Sequence, residues 1–110
     1  MAKNDTKSVI DKFKQAVNMT PEELESWLKT DESKQVGQKD GGDESIGHES
    51  GRHIIEILHK QADDYTEDDF SQMKRVVSYV HRHMAQQPSG NIEHMRWRYS
   101  LMNWGRDPLK

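Results

Sequence analysis

The sequence contains no cysteine, only three prolines and no long apolar stretch. Without cysteine there is no disulfide, no thiolate metal site and no cysteine nucleophile, and we expect a reducing compartment, the cytoplasm. No apolar stretch approaches the roughly 20 residues that span a bilayer, and the first residues lack the apolar run of a signal peptide. We therefore expect no membrane partner.

Apolar residues are also scarce, at 32% of the 110 residues, which equals the charged fraction. A chain of this length forms one domain, and the apolar residues recur at the i, i+3, i+4 spacing of amphipathic helices without strand-like alternation. The sequence predicts an all-α fold: a small four- to five-helix bundle-like single domain over residues 1–110. We place the helices at about 6–18, after Pro21, and at about 48–62, 67–86 and 92–104.

Two of these helices begin with capping signals, because Thr20 precedes Pro21 and Glu23, and Thr66 precedes three acidic residues. The apolar stripes of the helices predict one shared core. We expect that core to contain Phe13, Trp27, Ile54, Leu58, Val77 and Val80.

Residues 31–47 contain four glycines, many charges and only two aliphatic side chains. This composition is typical of a mobile connector, here a loop between the second and third predicted helices. A loop of this length is either disordered or functional, and we favour disorder.

The charge is divided unevenly along the chain. Residues 1–70 carry nine Lys or Arg against seventeen Asp or Glu, whereas residues 71–110 carry seven against two. Such a basic segment either contacts phosphate or an acidic partner, or pairs with the acidic part of the same protein.

Basic residues in two places are candidates for nucleic-acid contact. The C-terminal segment mixes arginine with tryptophan and tyrosine, a combination that grips phosphate and stacks on bases, and the fourth predicted helix carries a basic strip opposite its apolar stripe. A solvated surface is the alternative for both. The candidate residues are Lys74, Arg75, Arg82, Arg96, Arg98, Arg106 and Lys110.

The last predicted helix is apolar on two sides. One stripe contains Ile92, Met95, Tyr99 and Met102, and the opposite stripe contains Trp97, Leu101 and Trp104. A helix of this kind needs two surfaces to pack against. The stripe Trp97, Leu101 and Trp104 therefore lies inside the domain, or it docks a protein partner or a second copy of the chain.

Catalytic patterns are missing from the sequence. It has no glycine-rich phosphate loop and no Gly-x-Ser-x-Gly, and Glu56-x-x-His59 lacks the second copy that a di-iron bundle needs. His81 and His83 project about 200° apart on a helix and cannot chelate one ion. We expect no catalytic residues, no metal and no cofactor.

Several blocks resemble a family of small bacterial and fungal proteins of unknown function, domain-of-unknown-function family 3140. The blocks are Asn18 to Leu28, Ser45 to Arg52, Tyr79 to His83, Trp97 to Gly105 and Asp107 to Lys110. Members often carry a loose "DNA-binding protein" label, so the resemblance implies that label here. Where the family pattern has a histidine before Asp107 this chain has Arg106, which leaves positive charge as the tolerated property.

Two hypotheses follow from these observations. The first is a non-enzymatic binding module for DNA or another nucleic acid, which would place the protein at the nucleoid or in the nucleus. The second is a protein-interaction or stress-associated accessory module that docks a partner or itself. The two differ in salt dependence, because phosphate binding weakens steeply with salt and apolar docking does not.

Overall fold

A computed structural model of the protein describes residues 3–37 and 46–110, and within these residues the chain is helical and has no strand. The all-α prediction is confirmed. Besides a short 3-10 turn at Ala62–Asp64, the described residues form six α-helices. They are α1 (Lys3–Ala16), α2 (Pro21–Leu28), α3 (Asp31–Gly37), α4 (Ile46–His59), α5 (Glu67–Met84) and α6 (Arg96–Asn103).

Helix α3 corrects the expectation of an unstructured connector at 31–47. Residues Asp31–Gly37 are helical, and Ser33 within them is completely buried. Residues 46 and 47 begin α4, and residues 38–45 lie outside the described part of the chain. The helix was missed because its buried anchor is a polar serine, which an apolar periodicity cannot reveal.

Both predicted capping boxes are present. The Thr20 hydroxyl accepts from the Glu23 N–H at the start of α2, and the Thr66 hydroxyl accepts from the Asp69 N–H at the start of α5. In each case the acidic side chain of the third residue accepts from the backbone N–H of the threonine, so two otherwise unpaired donors are satisfied.

The core forms where α1 packs against α5, α2 packs against α4, and α6 contacts α2, α3, α4 and α5. Four of the six predicted core residues are buried: Phe13, Trp27, Ile54 and Val80. Leu58 and Val77 are half-buried at its edge. The helix faces were therefore assigned correctly from the spacing of apolar residues.

Helix α6 is shorter than predicted, because residues 92–95 form a turn closed by the Met95 N–H to the Ile92 carbonyl at 3.0 Å. Ile92 is nevertheless buried. Two residues after the helix, the chain turns at Gly105, whose φ of +84° is unfavourable for other residues. That conformation lets the Gly105 carbonyl accept from the N–H groups of Asn18 and Met19.

Asn103 joins three helices in the interior. It is 1% exposed, and its Oδ1 accepts from Trp27 Nε1 at 2.7 Å and from the Ser33 hydroxyl. Its Nδ2 donates to the Ser33 carbonyl at 3.1 Å. A Cβ at Gly51 of α4 would lie 2.7 Å from the Asn103 carbonyl oxygen, so the absence of a side chain there permits the close approach of α4 and α6.

Among the described helices, none is both long enough and apolar enough to cross a bilayer.

Candidate functional site

A buried carboxylate, Asp69, lies between α4 and α5. Its side chain is 2% exposed. It accepts from Lys60 Nζ at 2.7 Å, from His53 Nε2 at 2.9 Å and from the Thr66 backbone N–H at 2.9 Å. One residue therefore caps α5 and fastens it to the second half of α4.

These contacts determine the acidity of Asp69. Burial alone would raise the pKa of this carboxyl group, but the hydrogen bonds from Lys60, the Thr66 N–H and His53 outweigh burial and hold the pKa well below its usual value. The same carboxylate raises the pKa of Lys60 through its hydrogen bond. Asp69 is therefore ionised over the physiological pH range.

The cluster lies in an open cleft with a volume of about 910 Å³. The cleft is lined by side chains of both charges: Glu49, Ser50, Arg52, His53, Glu56, Lys60, Thr66, Asp68, Asp69, Gln72 and Arg75. Within the described residues, no three His, Cys, Asp or Glu side chains are grouped so that they could hold a metal ion. We interpret the Asp69 cluster as a structural ion network.

The solvent face of α5 is different, because from Lys74 to Arg82 its exposed acidic and basic side chains are all basic. Lys74, Arg75 and Arg82 are all exposed there, at the i, i+1, i+8 spacing that aligns them on one side of the helix. The other exposed positions between Lys74 and Arg82 are Ser78 and His81, and no carboxylate occurs between Asp69 and Met84. We call the set Lys74, Arg75, Ser78 and Arg82 the α5 basic face.

Within the described part of the protein, the cations of the α5 basic face (Lys74, Arg75 and Arg82) form no ion pair, although Arg75 lines the same cleft as Asp68 and Asp69. Arg75 donates only to the Gln72 side-chain oxygen, at 3.3 Å. Helix geometry alone places these side chains on one face.

The C-terminal cations are placed differently. Arg98 forms a two-pronged ion pair with Asp107, at 3.2 Å and 3.1 Å, and both side chains are 18% exposed. Arg106 donates to the Gln15 carbonyl at the end of α1 at 2.9 Å. Lys110 pairs with Glu23 and donates to the Asn18 carbonyl.

These contacts fasten the C-terminal segment to α1 and α2, and the Asn18 side chain completes the attachment with two hydrogen bonds to the backbone of Asp107. Arg98, Arg106 and Lys110 therefore do not form one open surface with the α5 basic face. Arg96 alone among the C-terminal candidates has an exposed head group without a carboxylate partner in the described residues, and it approaches the Gln35 carbonyl at 3.4 Å.

The stripe considered for partner docking is largely internal. Leu101 and Trp104 are buried in the core, and Trp97 is half-buried against it. Leu101 and Trp104 are therefore not available to a partner, because α6 packs against α2, α3, α4 and α5, whereas part of Trp97 remains exposed.

The Arg98–Asp107 pair leads to a prediction about stability. Arg98→Gln should lower the free energy of unfolding by about 1 to 3 kcal/mol at pH 7, because it leaves a largely buried carboxylate without its charged partner. Thermal melts followed by circular dichroism measure the effect.

Arg82→Gln is the matched control, and at its exposed position it should change stability by less than about 0.5 kcal/mol. Burial would raise the pKa of Asp107, but the Arg98 hydrogen bonds lower it. The contribution of the pair is therefore present above the unfolded pKa of about 4 and is lost as the pH falls below it. Equal melting temperatures for wild type and Arg98→Gln at pH 7 would contradict this role.

Comparison with known proteins gives a family but no activity. The family described as "Protein of unknown function (DUF3140)" matches residues 12–102 of the chain. No curated protein and no solved structure matches the chain. The matched range includes α2 to α5 and nearly all of α6, and with them both the Asp69 cluster and the α5 basic face.

Proposed function

We propose a function from the geometry of the chain itself, because the chain belongs to the DUF3140 family, whose function is unknown. The proposal is a non-enzymatic module that binds the phosphate backbone of a nucleic acid through the α5 basic face. The observation that carries it is that Lys74, Arg75 and Arg82 are exposed on one helix face without ion-pair partners among the described residues.

The character of this face suits a polyanion. Lys74 and Arg82 are eight residues apart, which is about 12 Å along the helix, so several phosphates of one strand can lie along the face. Ser78 between them is small and exposed, so a backbone can approach closely, and its hydroxyl can donate to a phosphate oxygen. The exposed acids Glu67 and Asp68 lie in the first turn of α5, seven residues before Lys74 and Arg75, so the face is cationic only from Lys74 onward.

The distribution of charge over the chain also favours binding of a polyanion at the α5 basic face. Seventeen of the nineteen carboxylates belong to residues 1–70, and only two belong to residues 71–110. A polyanion is therefore repelled by most of the chain and attracted by α5, which favours binding in one orientation and speeds association at low salt.

Fluorescence anisotropy titrations with labelled DNA at several salt concentrations test the proposal. Each phosphate contact contributes about one unit to the slope of log affinity against log salt. The triple variant Lys74→Gln, Arg75→Gln and Arg82→Gln should bind more weakly and should lose up to about three units of that slope, because three contacts are removed.

A second triple variant, Lys7→Gln, Lys12→Gln and Lys14→Gln, is the matched control. It removes the same charge from exposed positions of α1, and we expect a nearly unchanged slope. Equal losses in the two variants would show that net charge alone drives association, and no binding by wild type at low salt would reject the function.

A further inference from the structure

Four aromatic rings form a continuous stack that runs from the core to the surface. Trp104 and Tyr79 have ring centroids 4.3 Å apart, Tyr79 and His83 are 5.1 Å apart, and His83 and Trp97 are 5.5 Å apart. The successive planes are within 13° of parallel. The inner ring, Trp104, is buried, whereas the terminal ring, Trp97, is half-buried.

Two hydrogen bonds fix the terminal ring. The Trp97 indole N–H donates to the His83 carbonyl at 2.9 Å, and His83 Nε2 donates to the Trp97 carbonyl at 3.0 Å. Because these bonds and the His83 ring hold the indole in one orientation, a further planar ring that stacks on it costs no side-chain ordering. Trp97 is thus a preorganised aromatic surface at the end of the stack.

Each of the two outer rings of the stack follows an arginine in sequence. Arg82 and Arg96 immediately precede His83 and Trp97 in sequence, and both arginines are exposed. Arg82 is also the last cation of the α5 basic face. Because Arg82 adjoins His83, on which Trp97 stacks, a strand whose phosphates follow that face extends towards the Trp97 end of the stack.

We propose that Trp97 is a stacking platform for an unpaired nucleobase, so that the protein prefers single-stranded over duplex nucleic acid. The inference rests on the proposed function, which supplies the phosphate contacts along α5. Stacking on a tryptophan is tolerant of base identity, because every base has a π face. In the interior of a duplex the bases already stack on one another on both faces, so none of them is free to extend the stack of Trp104, Tyr79, His83 and Trp97.

The test compares labelled oligothymidylate of about 16 nucleotides, an ordinary site size for single-strand binding, with a duplex of the same length. In wild type we expect tighter binding of the single strand. Trp97→Leu should weaken single-strand binding roughly tenfold or more and should leave duplex binding and the salt slope unchanged, because no charge is removed. Trp97→Phe, which keeps a ring, should lose less affinity.

Tryptophan fluorescence supplies a second measurement that does not depend on the folding of Trp97→Leu. Trp27 and Trp104 are buried, so quenching by unlabelled oligothymidylate reports mainly on Trp97, and it should disappear in Trp97→Phe. The role of Trp97 as a stacking platform is rejected if wild type shows no quenching. It is also rejected if wild type and a folded Trp97→Leu variant bind the single strand with equal affinity.

The two proposals fail differently. If the platform alone is wrong, single-strand and duplex binding still depend on Lys74, Arg75 and Arg82 and neither responds to Trp97. If the proposed function is wrong, wild type binds neither probe, or binds both without any dependence on the α5 basic face.

Discussion

Asn103→Leu is expected to lower the free energy of unfolding by about 3 to 6 kcal/mol, most of the stability of a small domain. Leucine has a similar volume but leaves the Trp27 indole N–H, the Ser33 hydroxyl and the Ser33 carbonyl without the partners that Asn103 now provides. Each unpaired buried polar group costs about 1 to 3 kcal/mol.

Urea unfolding followed by circular dichroism measures the loss. Ser33→Ala is a milder variant for comparison, because it removes only the hydrogen bond from the Ser33 hydroxyl to Asn103. The bond that Trp27 donates to Asn103 and the bond that Asn103 donates to the backbone carbonyl of residue 33 both remain. This variant should cost about 1 kcal/mol. An unfolding midpoint for Asn103→Leu equal to that of wild type would show that this network contributes nothing to the junction of α2, α3 and α6.

Asp69→Asn is expected to cost about 2 to 4 kcal/mol at pH 7, because the amide keeps a hydrogen-bond acceptor for the Thr66 N–H but removes the charge that Lys60 and His53 contact. The pKa of Asp69 is lower in the folded than in the unfolded protein. Its stabilising contribution is therefore complete above the unfolded pKa of about 4 and is lost progressively as the pH falls below that value.

Urea unfolding of wild type and Asp69→Asn at pH 7 and near pH 3 measures this dependence, and the difference between the two proteins should shrink in acid. Asp68→Asn is the matched control, since it removes a carboxylate from the neighbouring exposed position and should cost less than about 1 kcal/mol, mainly from the helix dipole. A difference between wild type and Asp69→Asn that stays constant with pH would exclude the ionised carboxylate as its source.

Local features of the sequence predict most of the fold. The apolar stripes of α1, α2, α4 and α5 are periodic enough to locate the helices and their buried faces, and Thr20 and Thr66 mark two starts correctly. Helix α3 could not be predicted in the same way, because its buried residue, Ser33, is held by a hydrogen bond to Asn103, 70 residues away in sequence. Nothing in the local sequence identifies that partner.

The residues of the candidate site also differ in whether local sequence predicts their surroundings. The α5 basic face is predictable, because a helix brings Lys74 and Arg82 to one side without any help from the rest of the fold. The environments of Arg106 and Asp69 depend on tertiary contacts, with Arg106 bonded to Gln15 across 91 residues and Asp69 to His53 across 16. His53 and Lys60 both bond to Asp69. The one signal in the sequence that could have identified Asp69 is its position as the third residue of a capped helix.

The attachment of the C-terminal segment to α1 and α2 has a consequence for folding kinetics. Lys110 contacts Glu23, 87 residues away, and Leu101 and Trp104 complete the core. During synthesis the core therefore stays open until these late residues emerge, although α1 and α2 are made first. Closing such long loops is slow for a helical protein, so refolding should be slower than in bundles whose contacts are local.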